Sequence, residues 1–391
     1  MSGGNGKSYA METELVLANH KDSFNSSIVP LYQSATFKQP SLDDMGEYDY
    51  TRSGNPTRTV LQTHLSKIMK AEYSFVVTSG MTALDVICKL LDAGDEVIAG
   101  DDLYGGTDRL LTISQYDTTN TKLIKSKITK ETKMIFLESP TNPLIKVVDL
   151  QKITDYAHEI NPDCLVVFDN TMMSPVLLTP LDLGVDIHYE SATKYLNGHH
   201  DLMAGVIATN SKKIADDIYF AINATGSGLA PFDSWLLSRG LKTLSIRILQ
   251  QQQNAIKIAE FLSKLGLKVR YPGLKEHPQY ELHKSYTKGP GAVLSFETGS
   301  IEISEKIVSN CDLFGITVSF GCINSLISMP CRMSHASIDP AKRLERGFPE
   351  DLIRLSIGIE NADDLISDLT DALKIAGAIK EVDGNLINLL K

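Results

Sequence analysis

Two ionisable side chains occupy positions from which they could act on one ligand. Asp169 directly follows the apolar run 165–168, and Lys194 comes later in the segment Ser191-Ala192-Thr193-Lys194. Because open α/β sheets bind ligands outside the carboxyl ends of their strands, an Asp that closes a strand and a Lys in a following turn could face one crevice. This pair suits pyridoxal 5'-phosphate (PLP): a lysine can form a Schiff base, and an Asp can pair with the pyridinium nitrogen.

A phosphate group would need donors of its own. Gly80 and Met81 follow Thr78-Ser79 at the predicted start of a helix, where backbone amides favour anions. Each residue also has an ordinary explanation, since an Asp at a strand end is commonly a turn or cap residue and a lone Lys in a turn is commonly solvated. The pair His199-His200 does not favour a metal site, because adjacent side chains point apart and no carboxylate follows at ligand spacing.

Short apolar runs separated by helical patterns must position these residues. Runs that do not alternate with polar residues are typical of strands buried on both faces, and the intervening helices indicate parallel crossovers. An amphipathic helix with apolar residues at three-and-four spacing is predicted to open directly after Thr78-Ser79-Gly80. The sequence therefore predicts an α/β domain with strands near residues 75–77, 97–99, 134–137, 165–168 and 205–208.

The remaining chain predicts an arm and a second domain. Residues 1–55 lack a sustained period and contain Pro and Gly, which favours an arm lying on another surface. A long helix is predicted over 243–265, followed by strands at 267–271, 293–296, 316–319 and 353–357 and by a helix capped by Asn361. We therefore expect an arm (1–55), an α/β domain (56–243) and an α+β domain (244–391).

Composition limits the kinds of partner. The 391 residues include 38 Lys and Arg against 48 Asp and Glu, a net charge of -10, which disfavours nucleic acid and anionic membranes and favours a small molecule. Five scattered cysteines without a C-x-x-C motif favour reduced thiols. The N-terminus has no apolar secretion signal and does not read as a transit peptide, and no run of eighteen apolar residues occurs. We expect a cytoplasmic protein.

Six ordered segments resemble the PLP-dependent enzymes of cysteine and methionine metabolism. Segment 186–199 is similar to the lysine signature of that family, and the others are 50–57, 78–81, 102–106, 138–143 and 354–358. The resemblance extends over about residues 15–376. It implies PLP as the cofactor and the type I fold of PLP-dependent transferases (aspartate aminotransferase-like), with a large, mainly parallel α/β domain and a smaller α+β C-terminal domain.

The resemblance also implies roles for particular residues. Lys194 would bind PLP covalently, Asp169 would keep the ring nitrogen protonated, Tyr104 would stack on the ring, and Asn142 would lie near the ring hydroxyl and the substrate. The expected phosphate ligands are Gly80, Met81, Ser191 and Thr193.

Further roles concern the substrate and a second copy of the chain. In the family the Tyr and Arg of the arm reach the phosphate of a neighbouring subunit, so Tyr50 and Arg52 would complete the site in trans. The protein would then be at least a homodimer, and we expect a tetramer. Arg354 would hold the substrate carboxylate, with the Ser319 backbone beside it, and Tyr50 would also contact the substrate. Catalysis would use Lys194, Tyr104 and Tyr50.

The expected reaction is carbon–sulfur bond cleavage by α,β-elimination. The segments 226–236, 318–321 and 325–331 look closest to the eukaryotic β-eliminating members of the family. Gly106 stands where methionine γ-lyases typically have Cys, and Val318 stands where animal γ-lyases usually have Glu. The implied substrate is L-cystathionine, yielding homocysteine, pyruvate and ammonia in methionine biosynthesis. The alternatives are γ-elimination or γ-synthesis within the family and, less favoured, a catalytically silent interaction protein.

One departure from the family concerns Glu190. Relatives commonly have His before the serine of the lysine signature, whereas this chain places a potential negative charge beside Ser191. Because alternate strand residues face opposite ways, we expect the Glu190 side chain to point away from the phosphate.

Overall fold

The computed structural model describes residues 9–18, 20–110, 114–336, 343 and 346–390. Residues 1–8 and 19 of the predicted arm lie outside this part of the chain. The helices are α1 (Met11–Val16), α2 (Pro56–Ile68), α3 (Gly80–Cys88), α4 (Gly105–Leu110), α5 (Thr121–Lys127), α6 (Leu150–Ile160), α7 (Ser174–Leu177), α8 (Lys212–Thr225), α9 (Pro231–Leu241), α10 (Leu244–Lys264), α11 (Tyr280–Tyr286), α12 (Ile301–Ser309) and α13 (Ala362–Ile375), with 3₁₀ turns at Pro180–Leu183 and Pro330–Arg332. The strands are β1 (Tyr73–Val77), β2 (Glu96–Gly100), β3 (Ser114–Tyr116), β4 (Thr132–Glu138), β5 (Leu165–Asp169), β6 (Ile187–Ser191), β7 (Gly205–Thr209), β8 (Lys268–Arg270), β9 (Val293–Glu297), β10 (Gly315–Ile316), β11 (Leu326–Ser328), β12 (Ile353–Ser356), β13 (Ile379–Val382) and β14 (Asn385–Asn388).

The chain divides into two compact units. The first comprises Met1–Leu91 and Asp186–Ile246, and the second comprises Asp92–Val185 and Arg247–Lys391. Each unit is therefore built from two separate stretches of sequence, and one division falls inside α10. The three-part organisation expected from the sequence stays a prediction. Among the described residues, no helix is both long and apolar enough to cross a membrane.

In the first unit, β7 lies between β1 and β6 and is antiparallel to both. Parallel crossovers were the expectation for this run, and that expectation is wrong for β7. The physical reason is the connection: residues 192–204 form turns rather than a crossover helix, and a short connection of this kind suits antiparallel neighbours. The strand β6, which was not among the predicted strands, contains the first part of the lysine signature, and Lys194 follows three residues after its end.

Helix starts in the first unit follow from capping residues. The Asn55 side chain accepts a hydrogen bond from the Thr57 N–H, and Pro56 occupies the first turn of α2, where a missing N–H costs no helical hydrogen bond. The Ser79 side chain accepts from the Thr82 N–H at the start of α3. Residues Ala83, Leu84, Val86 and Ile87 then bury the apolar face of α3, which fixes the turn between β1 and α3.

In the second unit, β5, β4, β2 and β3 pair in parallel in that order. The nearly continuous apolar runs of β4 and β5 are buried, as the sequence predicts for strands covered on both faces. The register places Glu138 opposite Asp169 at the carboxyl ends of β4 and β5. Both acidic residues therefore lie at the edge of the sheet where ligands of α/β folds bind.

A second sheet of this unit has the order β10-β11-β12-β9-β8. Strands predicted at 267–271, 293–296 and 353–357 are confirmed, and α13 begins at the Asn361 cap as expected. The strand predicted at 316–319 is only Gly315–Ile316, so Val318 and Ser319 lie beyond it. The hairpin of β13 and β14 was not predicted, because its strands are only four residues long and alternate too briefly to give a clear apolar pattern.

Candidate active site

The predicted lysine lies in a tight turn of the first unit. Its backbone N–H donates to the Ser191 carbonyl at 3.1 Å, and its own carbonyl accepts from the Gly198 N–H at 2.7 Å. The Thr193 hydroxyl accepts from the Ala204 N–H at 3.1 Å, which ties the turn to the start of β7. Lys194 is thus carried on a turn fixed at both ends.

An anion cradle lies beside this turn in the same unit. A Cβ atom added at Gly80 would come within 2.8 Å of the Ser191 Cβ and 2.9 Å of its Oγ, so glycine is what permits the close approach. Gly205 meets the Ser79 carbonyl oxygen in the same way, at 2.3 Å from an added Cβ. The first amides of α3, at Gly80 and Met81, have no carbonyl in the preceding turn to bind and carry the positive end of the helix dipole.

These features fit a phosphate group. The predicted ligands Gly80, Met81 and Ser191 lie together, and the Thr193 hydroxyl belongs to the same turn as Lys194. Backbone amides, hydroxyls and a nearby ammonium group are the donors that phosphate prefers. The first unit therefore contains the donor set expected for the phosphate and aldehyde end of PLP.

Glu190 does not disturb this cradle. Its carboxylate lies 2.6 Å from the His188 Nε2 atom, and both side chains are almost fully buried. His188 and Glu190 are two residues apart on β6 and share one face, whereas Ser191 takes the opposite face. The expected orientation of Glu190 agrees with this pairing.

The arm residues Tyr50 and Arg52 lie side by side at an exposed turn. The Arg52 guanidinium carbon is 5.6 Å from the Tyr50 ring centre, and Arg52 Nη1 donates to the Asn223 carbonyl at 3.0 Å. Tyr50 is 45% exposed. An exposed Tyr50 can contact another subunit. The contact of Tyr50 and Arg52 with a neighbouring subunit stays a prediction.

In the second unit, three of the four predicted substrate ligands come together around a buried arginine. Arg354 is 2% exposed, and its Nη1 donates to the Asn142 Oδ1 at 3.0 Å. Its Nη2 donates to the carbonyls of Ser319, at 2.7 Å, and Val318, at 3.1 Å. The neighbours of Arg354 on the flanking strands are serines, which leave room for a long side chain. A guanidinium held in this way suits two-point binding of a carboxylate.

The predicted ring-nitrogen ligand belongs to a group of buried carboxyls. Asp169 accepts from the Thr171 N–H at 2.9 Å, and its strand neighbour Glu138 is 7% exposed. Burial first, and then the charges of Asp169 and Asp102, raise the pKa of Glu138 well above its ordinary value, opposed by a hydrogen bond from the Tyr104 N–H. Burial also raises the pKa of Asp102 to about 6. Carboxyl groups brought together in this way favour a cation beside them, such as a protonated pyridine nitrogen.

The predicted site residues thus form two sets. Lys194, Ser191, Thr193, Gly80, Met81, Tyr50 and Arg52 lie in the first unit, and Asp169, Asn142, Tyr104, Ser319 and Arg354 lie in the second. Glu138 was missed as a site residue although it opens the segment 138–143, because only Asn142 carried an expected role there. Among the described residues, no group of three His, Cys, Asp or Glu side chains could hold a metal ion.

The fold and these residues define a PLP-dependent enzyme. Residues 12–374 match the family model described as Cys/Met metabolism PLP-dependent enzyme, and the chain belongs to this family. A cystathionine beta-lyase of Neurospora crassa is 60% identical over 97% of this chain and 85% of its own length, and one of Schizosaccharomyces pombe is 52% identical over 93% and 96%. The crystal structure of cystathionine gamma-lyase from yeast superposes with a TM-score of 0.91 at 37% identity, covering 96% of this chain and all of that one. The predicted type I fold and PLP cofactor are confirmed.

Proposed function

We propose that the chain is a carbon–sulfur lyase that cleaves L-cystathionine by α,β-elimination. The observation that carries this reaction is the 60% identity with a cystathionine beta-lyase over nearly the whole chain. The geometry supports the substrate class, because Arg354 is buried and held for an amino-acid carboxylate by Asn142 and the Ser319 carbonyl. The products are homocysteine, pyruvate and ammonia.

The roles proposed for each set of residues follow from the family to which the chain belongs. Lys194 would attach PLP covalently, Asp169 would pair with its ring nitrogen, Tyr104 would stack on the ring, and Asn142 would contact the ring hydroxyl. The phosphate is bound by Gly80, Met81, Ser191 and Thr193, and by Tyr50 and Arg52 of a second copy. When bound, PLP supplies an electron sink that lowers the barrier to removing the Cα proton.

The chain's own residues then bind substrate and move protons. Arg354 holds the carboxylate, and Tyr50 assists deprotonation of the incoming amine. The amine of Lys194 would remove the Cα proton as a general base. The Cβ–sulfur bond breaks, the sulfur leaves with the bonding electrons, and Tyr104 or protonated Lys194 donates the proton that completes homocysteine. The remaining three-carbon fragment is hydrolysed to pyruvate and ammonia.

The runner-up function is γ-chemistry on the same scaffold. The similarity to yeast cystathionine gamma-lyase supports it, although at 37% identity. Val318 argues against γ-chemistry. It is 49% exposed, and its carbonyl accepts a hydrogen bond from Arg354. An apolar side chain at this position gives no polar contact to the far end of the substrate. A silent interaction protein is disfavoured because Lys194, Asp169 and Arg354 are all retained.

We propose that the protein is a homo-oligomer, which is at least a dimer and which we expect to be a tetramer. We also propose that it is cytoplasmic. The exposed pair Tyr50 and Arg52 supports the shared site. A reducing compartment is supported by five cysteines that are all free thiols.

The deciding experiment identifies the keto acid. The PLP-loaded enzyme is incubated with L-cystathionine, and the keto acid and thiol are separated by chromatography, with the Lys194→Ala variant as the control. We expect pyruvate with homocysteine. The appearance of 2-oxobutyrate with cysteine would show γ-elimination instead.

A further inference from the structure

A second buried arginine binds the arm turn of the first unit. Arg58, in the first turn of α2, is 5% exposed. Its Nη2 donates to the Thr51 carbonyl at 2.5 Å and to the Arg52 carbonyl at 3.2 Å, and its Nη1 donates to the Leu229 carbonyl at 3.0 Å. One planar guanidinium thus joins two separate segments of backbone.

The first of these segments carries Tyr50 and Arg52. Its turn is closed by the Ser53 and Gly54 N–H groups, which donate to the Tyr50 carbonyl at 3.0 Å. The carbonyls that Arg58 binds belong to Thr51, between the two exposed side chains, and to Arg52 itself. The direction in which Tyr50 and Arg52 project therefore depends on this contact.

The second segment is attached to the strand that leads into the anion cradle. Gly228 forms a bridge with Val77, the Thr78 N–H donates to the Ser227 carbonyl at 3.1 Å, and the Leu229 N–H donates to the Val76 carbonyl at 3.0 Å. Arg58 thereby connects the arm turn to the last residues of β1.

Gly228 shows how closely the guanidinium is fitted. A Cβ atom added there would lie 2.8 Å from the Arg58 Nη1 and 3.2 Å from its Cζ. Because Arg58 is enclosed by backbone, an added methyl group would push the guanidinium away from the Leu229 carbonyl. The position of the guanidinium can therefore be perturbed while Arg58 itself is kept.

We propose that Arg58 is a positioning residue that fixes the arm turn so that Tyr50 and Arg52 can bind the cofactor phosphate of a neighbouring subunit. This inference rests on the proposed function, specifically on the shared cofactor site. Arg58 of one subunit would thus affect PLP binding in the neighbouring subunit, to whose site it contributes only through the arm. A merely structural Arg58 would instead stabilise its own unit and leave cofactor affinity unchanged.

The first measurement is the Kd for PLP. Apoenzyme is titrated with PLP and followed by the visible absorbance band and by the melting temperature of the oligomer. We expect Arg58→Lys to raise the Kd about tenfold, because a compact ammonium cannot replace two forked contacts and each tenfold step is about 1.4 kcal/mol. Gly228→Ala should raise the Kd in the same direction. The matched control is Gln62→Leu, which removes a hydrogen bond from α2 to the Ser74 carbonyl of β1 without touching the arm turn.

The second measurement separates the subunits. In one hetero-oligomer, Arg58→Lys subunits are mixed with Lys194→Ala subunits, so the functional lysine receives an intact arm. In the other, wild-type subunits are mixed with subunits that carry both substitutions, so the functional lysine receives the altered arm. We expect the wild-type Kd in the first mixture and the raised Kd in the second.

Several results would overturn the proposal. A Kd that follows the lysine-bearing subunit, or equal values in the two mixtures, would mean that Arg58 does not act through the arm. A lowered melting temperature with an unchanged Kd would make Arg58 structural only. Failure of the proposed reaction looks different, since wild-type enzyme would then form 2-oxobutyrate with cysteine from L-cystathionine, whatever the PLP Kd values of the two mixtures.

Discussion

The two units differ in how they prepare their functional groups. In the first, the anion cradle consists of backbone amides and hydroxyls at Gly80 and Ser191, residues brought together by the absence of a side chain. In the second, the functional groups are buried ionisable side chains: Arg354 is 2% exposed and Asp169 is 9% exposed. The stability of a buried ionisable group depends on each of its hydrogen-bond partners. Several amides and hydroxyls bind an anion together, so the loss of one weakens binding less. Substitution of a functional residue should therefore cost more activity in the second unit than in the first. Lys194 is the exception, because it is a functional residue of the first unit that no neighbour can replace.

The largest effect is expected at that exception. Lys194→Ala removes the covalent attachment and the general base together, so the rate of pyruvate formation should fall by about 10³-fold or more. The visible band of the bound cofactor should disappear, which absorbance spectroscopy measures directly. Retention of the band by the folded variant would contradict the assignment of Lys194.

The next effect is expected at the Arg354 clamp. Arg354→Lys should raise the KM for L-cystathionine by about 10- to 100-fold, because a charged hydrogen-bonding fork is lost and each 1.4 kcal/mol is tenfold. Steady-state kinetics with pyruvate detection measures it. The matched control is Arg270→Lys, which alters a partly exposed ion pair with Glu297 and should leave KM within about twofold. Equal effects of the two variants would break the contrast between buried and exposed ions.

A smaller effect is expected at the buried carboxyls of the second unit. The folded-state pKa of Glu138 is raised, so its stabilising contribution is complete below the ordinary pKa and is lost as the pH rises toward the folded value. Glu138→Gln removes this loss, so the variant should gain stability relative to wild type by up to about 1.4 kcal/mol per pH unit in that window. Urea unfolding of the PLP-loaded enzyme from pH 5 to 8 measures it, with Glu96→Gln as the control. Parallel stability curves would show that Glu138 is ionised in the folded protein.

The smallest effect on the cofactor is expected at Glu190. Glu190→Gln should change the Kd for PLP by less than about twofold, because Glu190 faces away from Ser191 on β6. Its buried pairing with His188 predicts a loss of about 1 to 3 kcal/mol in the free energy of unfolding. The adjacent Ser191→Ala variant provides the comparison and should weaken PLP binding. A large fall in Kd for Glu190→Gln would place a buried negative charge at the cradle, because removing a carboxylate beside the phosphate strengthens binding, and it would remove the distinction between the units.

The sequence predicts best what is local in the chain. The Ser-Gly turn into α3, the strand that ends at Asp169 and the Asn361 cap of α13 follow from neighbouring residues, and all three are observed. The direction of β7 was not predictable from its apolar run, because a strand buried on both faces looks the same in either direction. Hydrogen bonds over long separations do not follow from neighbouring residues. Arg354 and Asn142, 212 positions apart, were both expected at the substrate only through the family resemblance, and the contact between Arg58 and Leu229, 171 positions apart, was not predicted. Such pairs depend on tertiary packing, which leaves no periodic signal.

The division of the first unit between two stretches of chain has a consequence for biosynthesis. Tyr73 of β1 pairs with Thr209 of β7, and the intervening residues 92–185 belong to the second unit. A nascent chain emerges N-terminus first, so β1 leaves the ribosome long before its partner and keeps an open edge during that interval. Non-local strand pairing of this kind is slow. Translation products that end before β7 therefore expose an unpaired strand, which makes them substrates for chaperones and proteases.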